Sequence, residues 1–367
     1  MKITLAATLR HYDKKNFIKD LLAGIIIMAV SIPISMGYAQ IAGLPAVYGL
    51  YGSVFPILIF ALSSTSPQFI FGVDAAPAAL IGSALLSLHI ESGSEEAMAV
   101  VPVLTFFVAL WLLAFYIMKA GKLVNYISAP VMGGFITGIC TTIILMQVPK
   151  LMGGSAGTGE FFELAEHMIR TAKDINWQSV VLGLAALVLL LVCKKLIPKF
   201  PMAVLLMIAG AGMTYLLPIE DRGVQTLASV DTGLPHWAVP DFSVISIREA
   251  VTISLSVAVV IMAETLLAEN NFAQKNGYRI NDNQEILAFS MGNFLAAFTG
   301  CCPINGSVSR TAMGEQYQAK TQLTGIIAGL SMIVVLVCAT GFIGYLPVPV
   351  LTAIVISALL GATEFDL

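Results

Sequence analysis

Charge is what this sequence has least of. Of 367 residues, 11% are Asp, Glu, Lys or Arg and 57% are hydrophobic. A soluble domain carries about 25% charged residues, so an ordinary water-soluble enzyme or binding module is excluded. The net charge of −3 points to no nucleic acid or other strongly charged partner. Cysteine is sparse as well. Cys140, Cys193, Cys301, Cys302 and Cys338 lie in or beside apolar runs, with no C-x-x-C and no metal-ligand spacing, so they read as packing residues and no metal site follows. The G-x-G-D motif of intramembrane aspartyl proteases is missing, since "FGVD" differs from it. "MKITLAATLRHYDKKNFIKD" has too short an apolar stretch for a signal peptide. Soluble domains, low-complexity tracts and short-period repeats are also absent from the sequence.

What the sequence has in abundance is continuous apolar runs. A helix needs about 20 apolar residues to cross a bilayer, and a transmembrane barrel would show short alternating segments instead. The chain therefore reads as an all-α polytopic membrane protein. Spans are predicted near 20–41, 44–62, 69–90, 97–118, 126–148, 177–196, 200–218, 244–269, 284–300, 303–318, 322–345 and 347–363. Lys14, Lys15 and Lys19 place the N-terminal segment in the cytoplasm by the positive-inside rule. Alternation then puts Lys119 and Lys122, Lys194, Lys195 and Lys199, Lys275 and Arg279, and Lys320 inside, with "ESGSEE" and "IEDRG" outside. This holds only if the polar segment 303–318 is a crossing. The stretch 160–175, "EFFELAEHMIRTAKDI", reads as an amphipathic helix on the outer surface, with a partner-binding helix as the alternative. The expected location is the inner cell membrane.

The polar segment "CCPINGSVSRTAMGEQ" (301–316) sits between apolar stretches. "PQFIFGVDAAPAALIG" (67–82) and "TGCCPINGSVSRTAMG" (299–314) each pass through a glycine into a helix of small residues. Matching broken helices in two halves of a chain point to a transporter's binding site. A charge at the bilayer centre costs about 2.5–3.5 kcal/mol on insertion scales, so Asp74, Glu264, Glu269 and Arg310 are the candidates for function. Arg310 lies one turn into the helix opened by Asn305, Gly306 and Ser307, where free N–H groups favour an anion. The plainer alternative is an arginine paired with Glu264 or Asp74, or one that snorkels. Asp74 is either only an N-cap or a residue that faces the site and titrates; both readings stay open. Glu264 lies well inside its span and suits a coupling ion, whereas Glu269 and His89 read as interfacial. Arg310 and two helix N-termini supply about +2, which ionised Asp74 and Glu264 would cancel. Anion binding then needs a proton or a sodium ion. Ala268, one turn after Glu264, offers sodium no side-chain oxygen, which favours the proton.

"DLLAGIIIMAVSIPISMGYAQIAGLPAVYGLYGSVFPILIFAL" (20–62), "QFIFGVDAAPAAL" and "NQEILAFSMGNFLAAFTGCCPINGSVSRTA" (283–312) resemble, in this order, segments of the SulP (sulfate permease) family, solute carrier family 26. The resemblance implies two inverted seven-helix repeats, arranged as core and gate domains, with broken helices three and ten preceded by short extended segments. It implies secondary transport of sulfate, bicarbonate, chloride or dicarboxylates, bound between the N-termini of those two helices. Family site positions fall on Ile34, Tyr38, Val73, Asp74, Glu264, Ser307, Ser309 and Arg310. Ile34 replaces a common glutamine, which removes a polar contact and leaves the substrate's identity open; Asp74 stands where an apolar or aromatic residue is usual, which fits proton coupling better than a plain anion channel. The expected repeats are 1–218 (helices 1–7) and a partial 244–367 (helices 8–12). The family's helices 13–14 and STAS domain are absent from this sequence, which reads as a fragment. The expected partners are a small inorganic or organic anion and the lipid bilayer, with a homodimer as one assembly open to it. No cofactor is implied beyond the coupling H+ or Na+. A nucleobase–cation symporter of similar fold and an uncoupled anion channel are the competing readings, and an enzyme is not expected. A phosphatase reporter fused after Ser92 should be active outside, and a fluorescent one after Asn276 should fluoresce inside. The reverse pattern would invert this topology.

Overall fold

Backbone groups in hydrocarbon find no water, so each apolar run must close its own hydrogen bonds. The computed structural model of the protein describes residue 8 and residues 12–122, 129–155, 161–197, 200–217, 219–227, 232–338 and 340–362. Its helices are α1 (Phe17–Ile41), α2 (Val47–Tyr51), α3 (Phe55–Ser63), α4 (Ala75–Ser87), α5 (Glu95–Ile117), α6 (Ala129–Leu151), α7 (Phe161–Thr171) and α8 (Trp177–Leu196). They continue as α9 (Met202–Leu216), α10 (Ile247–Asn276), α11 (Asp282–Phe298), α12 (Val308–Gln316), α13 (Leu323–Cys338), α14 (Thr340–Ile343) and α15 (Val348–Ala362). Two short strands, β1 (Phe71–Gly72) and β2 (Asn305–Gly306), precede α4 and α12. The segment from Lys14 through α1, together with α5, α8 and α10, is long and apolar enough to cross a membrane.

The predicted spans differ from these helices mainly where small residues and prolines intervene. The span at 44–62 breaks into α2 and α3, because Pro56 starts a new helix in its first turn. Gly49 there packs against the backbone of Ser35, and Ser53 bonds Ser35 across the same crossing at 2.9 Å. The span at 69–90 is β1 followed by α4. The expected span at 126–148 is seen from Ala129, and the chain end at 363–367 lies outside the described residues. The amphipathic segment forms α7, with Phe162 and Ile169 exposed and Arg170 paired to Glu166 at 2.5 Å.

The chain divides into two compact units, Met1–Phe135 with Leu234–Ile333 and Ile136–Gly233 with Val334–Leu367. In the first, α11 packs on α5 and α3, α10 on α5 and α4, and α1 on α2, α4 and α12. Phe60, Phe71 and Phe289 stack nearly parallel, with Phe71 centred 4.7 and 5.3 Å from its neighbours. Asp20 on α1 is wholly buried and accepts from Lys320 N (2.7 Å), Thr321 N (3.3 Å), Thr321 Oγ1 (2.8 Å) and Thr324 Oγ1 (3.3 Å). It clips α1 to the start of α13. In the second unit α15 packs on α8 and α9, with Gly183 and Gly210 making room for Pro349 and Pro347. The outer side of α8 exposes Val181, Leu184, Val188 and Leu191, a helical stripe with the chemistry of lipid rather than water.

Replacing Asp20 with Ala strands two backbone N–H groups at the start of α13. The expected loss is about 2–4 kcal/mol, seen as a lower thermal unfolding midpoint in detergent, with Asp20→Asn less affected. An unchanged midpoint would show that the clip carries no stability.

Candidate functional site

Two chain segments far apart in sequence meet at the strands. β1 and β2 pair antiparallel, with Phe71 opposite Gly306 and Gly72 opposite Asn305. Ser307 N extends the ladder to Ile70 O (2.8 Å), and Thr311 Oγ1 accepts from Ile70 N (3.0 Å) while donating to Ser307 O (2.7 Å). Gly306 is required by space, since a Cβ there would strike Phe69 and Thr265; one on Gly72 would crowd Arg310, standing 3.0 Å from its Nη1. Each strand leads directly into a helix, so the pairing brings the N-termini of α4 and α12 to one place.

Arg310, the third residue of α12, is only 1% exposed. Its Nη2 donates to Val73 O at 2.6 Å and stands 3.9 Å from Asp74 Oδ2, near enough for attraction but too far for a hydrogen bond. Its Nε has no partner among the described residues. Buried Tyr38 on α1 is an electrostatic neighbour of the guanidinium, and Ile34 lies buried one turn away on the same helix. Asp74 caps α4, accepting from Ala75 N at 2.8 Å. Ser307 opens α12 without a side-chain capping bond; its Oγ stands 3.4 Å from Ser309 Oγ. The two helix starts thus differ: α4 holds a carboxylate of its own, and the first N–H groups of α12 have no side-chain acceptor from their cap.

Glu264 is not paired with Arg310. Its Oε2 accepts from Asn305 Nδ2 at 2.7 Å. Thr265 Oγ1 bonds Asn305 Oδ1 and accepts from Gly306 N at 3.1 Å. The structure therefore gathers Tyr38, Val73, Asp74, Ser307, Ser309 and Arg310 around one point, with Glu264 joined through Asn305. Val73 contributes a carbonyl that holds the arginine, its side chain being buried toward Gly52. The sequence did not reveal Asn305 and Thr265 as a bridge to α10; its one signal was a polar "ING" beside a helix start. Glu269, expected at an interface, is completely buried. Among the described residues no group of three or more His, Cys, Asp or Glu could hold a metal ion.

The model of the sulfate permease family matches residues 17–366. The chain belongs to this family. Sulfate permease relatives include a probable sulfate transporter of Mycobacterium tuberculosis, 29% identical over 96% of this chain and 62% of its own length. Sulfate transporter 2.1 of Arabidopsis thaliana is 29% identical over 97% of this chain and 55% of its own. The chain thus spans little more than half the length of these relatives. The fold is that of the solved SLC26A9 structure (TM-score 0.89, 22% identity, 98% of this chain and 60% of that one). It is shared by the transmembrane domain of the cyanobacterial bicarbonate transporter BicA (TM-score 0.84, 18% identity, 96% and 91%). The protein is a multi-pass helical membrane protein of the sulfate permease family.

Replacing Asn305 with Ala removes the donor to Glu264 and an acceptor of Gly306 N. The expected cost is about 2–3 kcal/mol, read as a lower unfolding midpoint. A midpoint equal to the parent's would show that the Asn305 bridge does not hold β2 to α10.

Proposed function

We propose that the chain forms the membrane part of a secondary active transporter for a small anion, sulfate, bicarbonate or a dicarboxylate, working by alternating access. The observation that carries this reading is the meeting of buried Arg310 with two helix N-termini, one of them open. A helix N-terminus presents free N–H groups and about half a positive charge. Arg310 keeps an unpartnered Nε beside it. In this reading Arg310, Ser307 and Ser309 receive the anion, Val73 aims the arginine, and Tyr38 and Asp74 complete the substrate-binding set.

The same charges account for coupling. Asp74 and Glu264 are electrostatic neighbours, and together they offset Arg310 and the two helix dipoles. An entering anion adds negative charge to a buried site, so one carboxylate has to take a cation. Glu264 suits this task because its partner Asn305 belongs to β2, just before α12. A proton there changes what Asn305 can donate to and reports directly to the anion side. We favour H+ over Na+, since Ala268 supplies no further oxygen. The proposed topology keeps the N-terminus cytoplasmic, with repeats at 1–218 and 244–367. The sulfate and bicarbonate transporters among the similar proteins support this substrate class.

The test is labelled sulfate uptake into proteoliposomes with and without an inward proton gradient. Arg310→Ala is expected to lower uptake at least ~10-fold, the scale of one lost charge-assisted hydrogen bond. Glu264→Gln should keep anion-driven flux and lose stimulation by the gradient. Uptake equal to wild type in Arg310→Ala would overturn the site.

A further inference from the structure

A second set of acidic side chains lies toward the end of α10, outside the site above. Glu269, five residues beyond Glu264, is 0% exposed, and neither of its carboxylate oxygens has a hydrogen-bond partner among the described residues. Glu285 on α11 is also 0% exposed. Its Oε1 accepts from Thr65 N at 2.6 Å and from Thr65 Oγ1, while its Oε2 has no partner. Glu285 and Asp282 are electrostatic neighbours of Glu269. Two buried carboxylates with three unused oxygens on adjacent helices are an unstable arrangement as anions, because a buried charge must be paired or neutralised.

The surroundings supply no counter-charge. On α10 itself Lys275 points outward to Glu315 of α12, at 2.8 Å with its side chain 66% exposed. Asp282 on α11 is bonded by Asn270 at 3.2 Å. Beyond the end of α5, Gly121 packs against Asp282 and Lys122 is exposed. After α3, Ser64, Thr65 and Ser66 bring only hydroxyls and backbone groups toward Glu285. Tyr278, whose hydroxyl lies 3.4 Å from Ser66 Oγ, is a neutral neighbour of both glutamates. Hard divalent cations take about six oxygens or more, and no three-residue metal cluster exists among the described residues. A proton needs no such cluster: taken up by one carboxyl, it removes one of the two buried charges and most of the cost of holding them near each other.

We propose that Glu269 and Glu285 form a proton-binding carboxyl pair, a second protonation site separate from Glu264 and the anion site. The pair folds with its proton in place, which relieves the repulsion between two buried carboxylates where the end of α10 meets the start of α11. It requires nothing of the transported anion.

The test is infrared spectroscopy of the chain in lipid nanodiscs, following the C=O stretch of protonated carboxyls as pH is raised. A Glu264→Gln background removes the other glutamate. A C=O band is expected that survives in this background and disappears on adding Glu269→Gln. A band unchanged by Glu269→Gln, or one removed by sodium at constant pH, overturns the proposal. Glu269→Gln mimics the neutral acid in shape; should it not fold, the Glu264→Gln chain with Asp74→Asn added, which removes the remaining carboxyl of the anion site, decides the matter. Its thermal midpoint is expected to fall as pH rises, because the folded pair holds a proton that high pH withdraws. It should not respond to sodium at fixed pH. A midpoint flat with pH, or raised by sodium, sinks the pair as a proton site.

Discussion

An arginine buried in a membrane protein has to be given a reason to stay, and the local structure around Arg310 is built to that requirement. The guanidinium lies against Gly72, where a Cβ would crowd it, and takes the carbonyl of Val73 because the antiparallel pairing of β1 and β2 delivers it there. The same pairing fixes where α4 and α12 begin. Loss of either glycine would press on the arginine or on the Phe69–Thr265 wall behind it. The short strands, the two helix starts and the buried charge form a single arrangement in which no part is independent.

The first unit shows how differently buried acids can be accommodated. Asp20 is saturated by four donors and serves as structure. Asp74 divides its oxygens among a helix N–H, the Ser307 side chain and an arginine held at 3.9 Å. Glu264 keeps one strong donor, Asn305. Glu269 has none among the described residues. That gradient, from fully bonded to unbonded, separates carboxylates that can remain ionised from those that call for a proton. The separation is visible in hydrogen-bond geometry alone.

Much of this was legible in the sequence, for physical reasons. A charge within an apolar run is costly, so Arg310, Asp74 and Glu264 announced themselves, and glycine before a run of small residues marked the broken helices. Helix positions were readable because spans need continuous apolar stretches. Partnerships were not. Thr265 and Asn305 lie 40 residues apart, and nothing local says that an asparagine at a helix start bonds back to another helix. Glu269 read as interfacial because it approaches the cytoplasmic end of its predicted span; its burial depends on how α11 packs, which no pattern along α10 reports. The break between α2 and α3 was hidden because its glycines and Pro56 sit within an otherwise apolar run.

The bond from Arg310 to Val73 spans 237 residues, and the clip from Lys320 to Asp20 spans 300. At about 5–20 residues per second of synthesis, the ribosome works for on the order of 10–50 s between making β1 and making the arginine that faces it. For that interval Asp74 has no cation, Gly72 has no strand beside it, and α1 has no anchor. The early helices must therefore be inserted and held apart, without their tertiary partners, until the second half of the chain arrives. Birth order, as much as bilayer thickness, constrains a protein whose centre is stitched together from segments made so far apart in time.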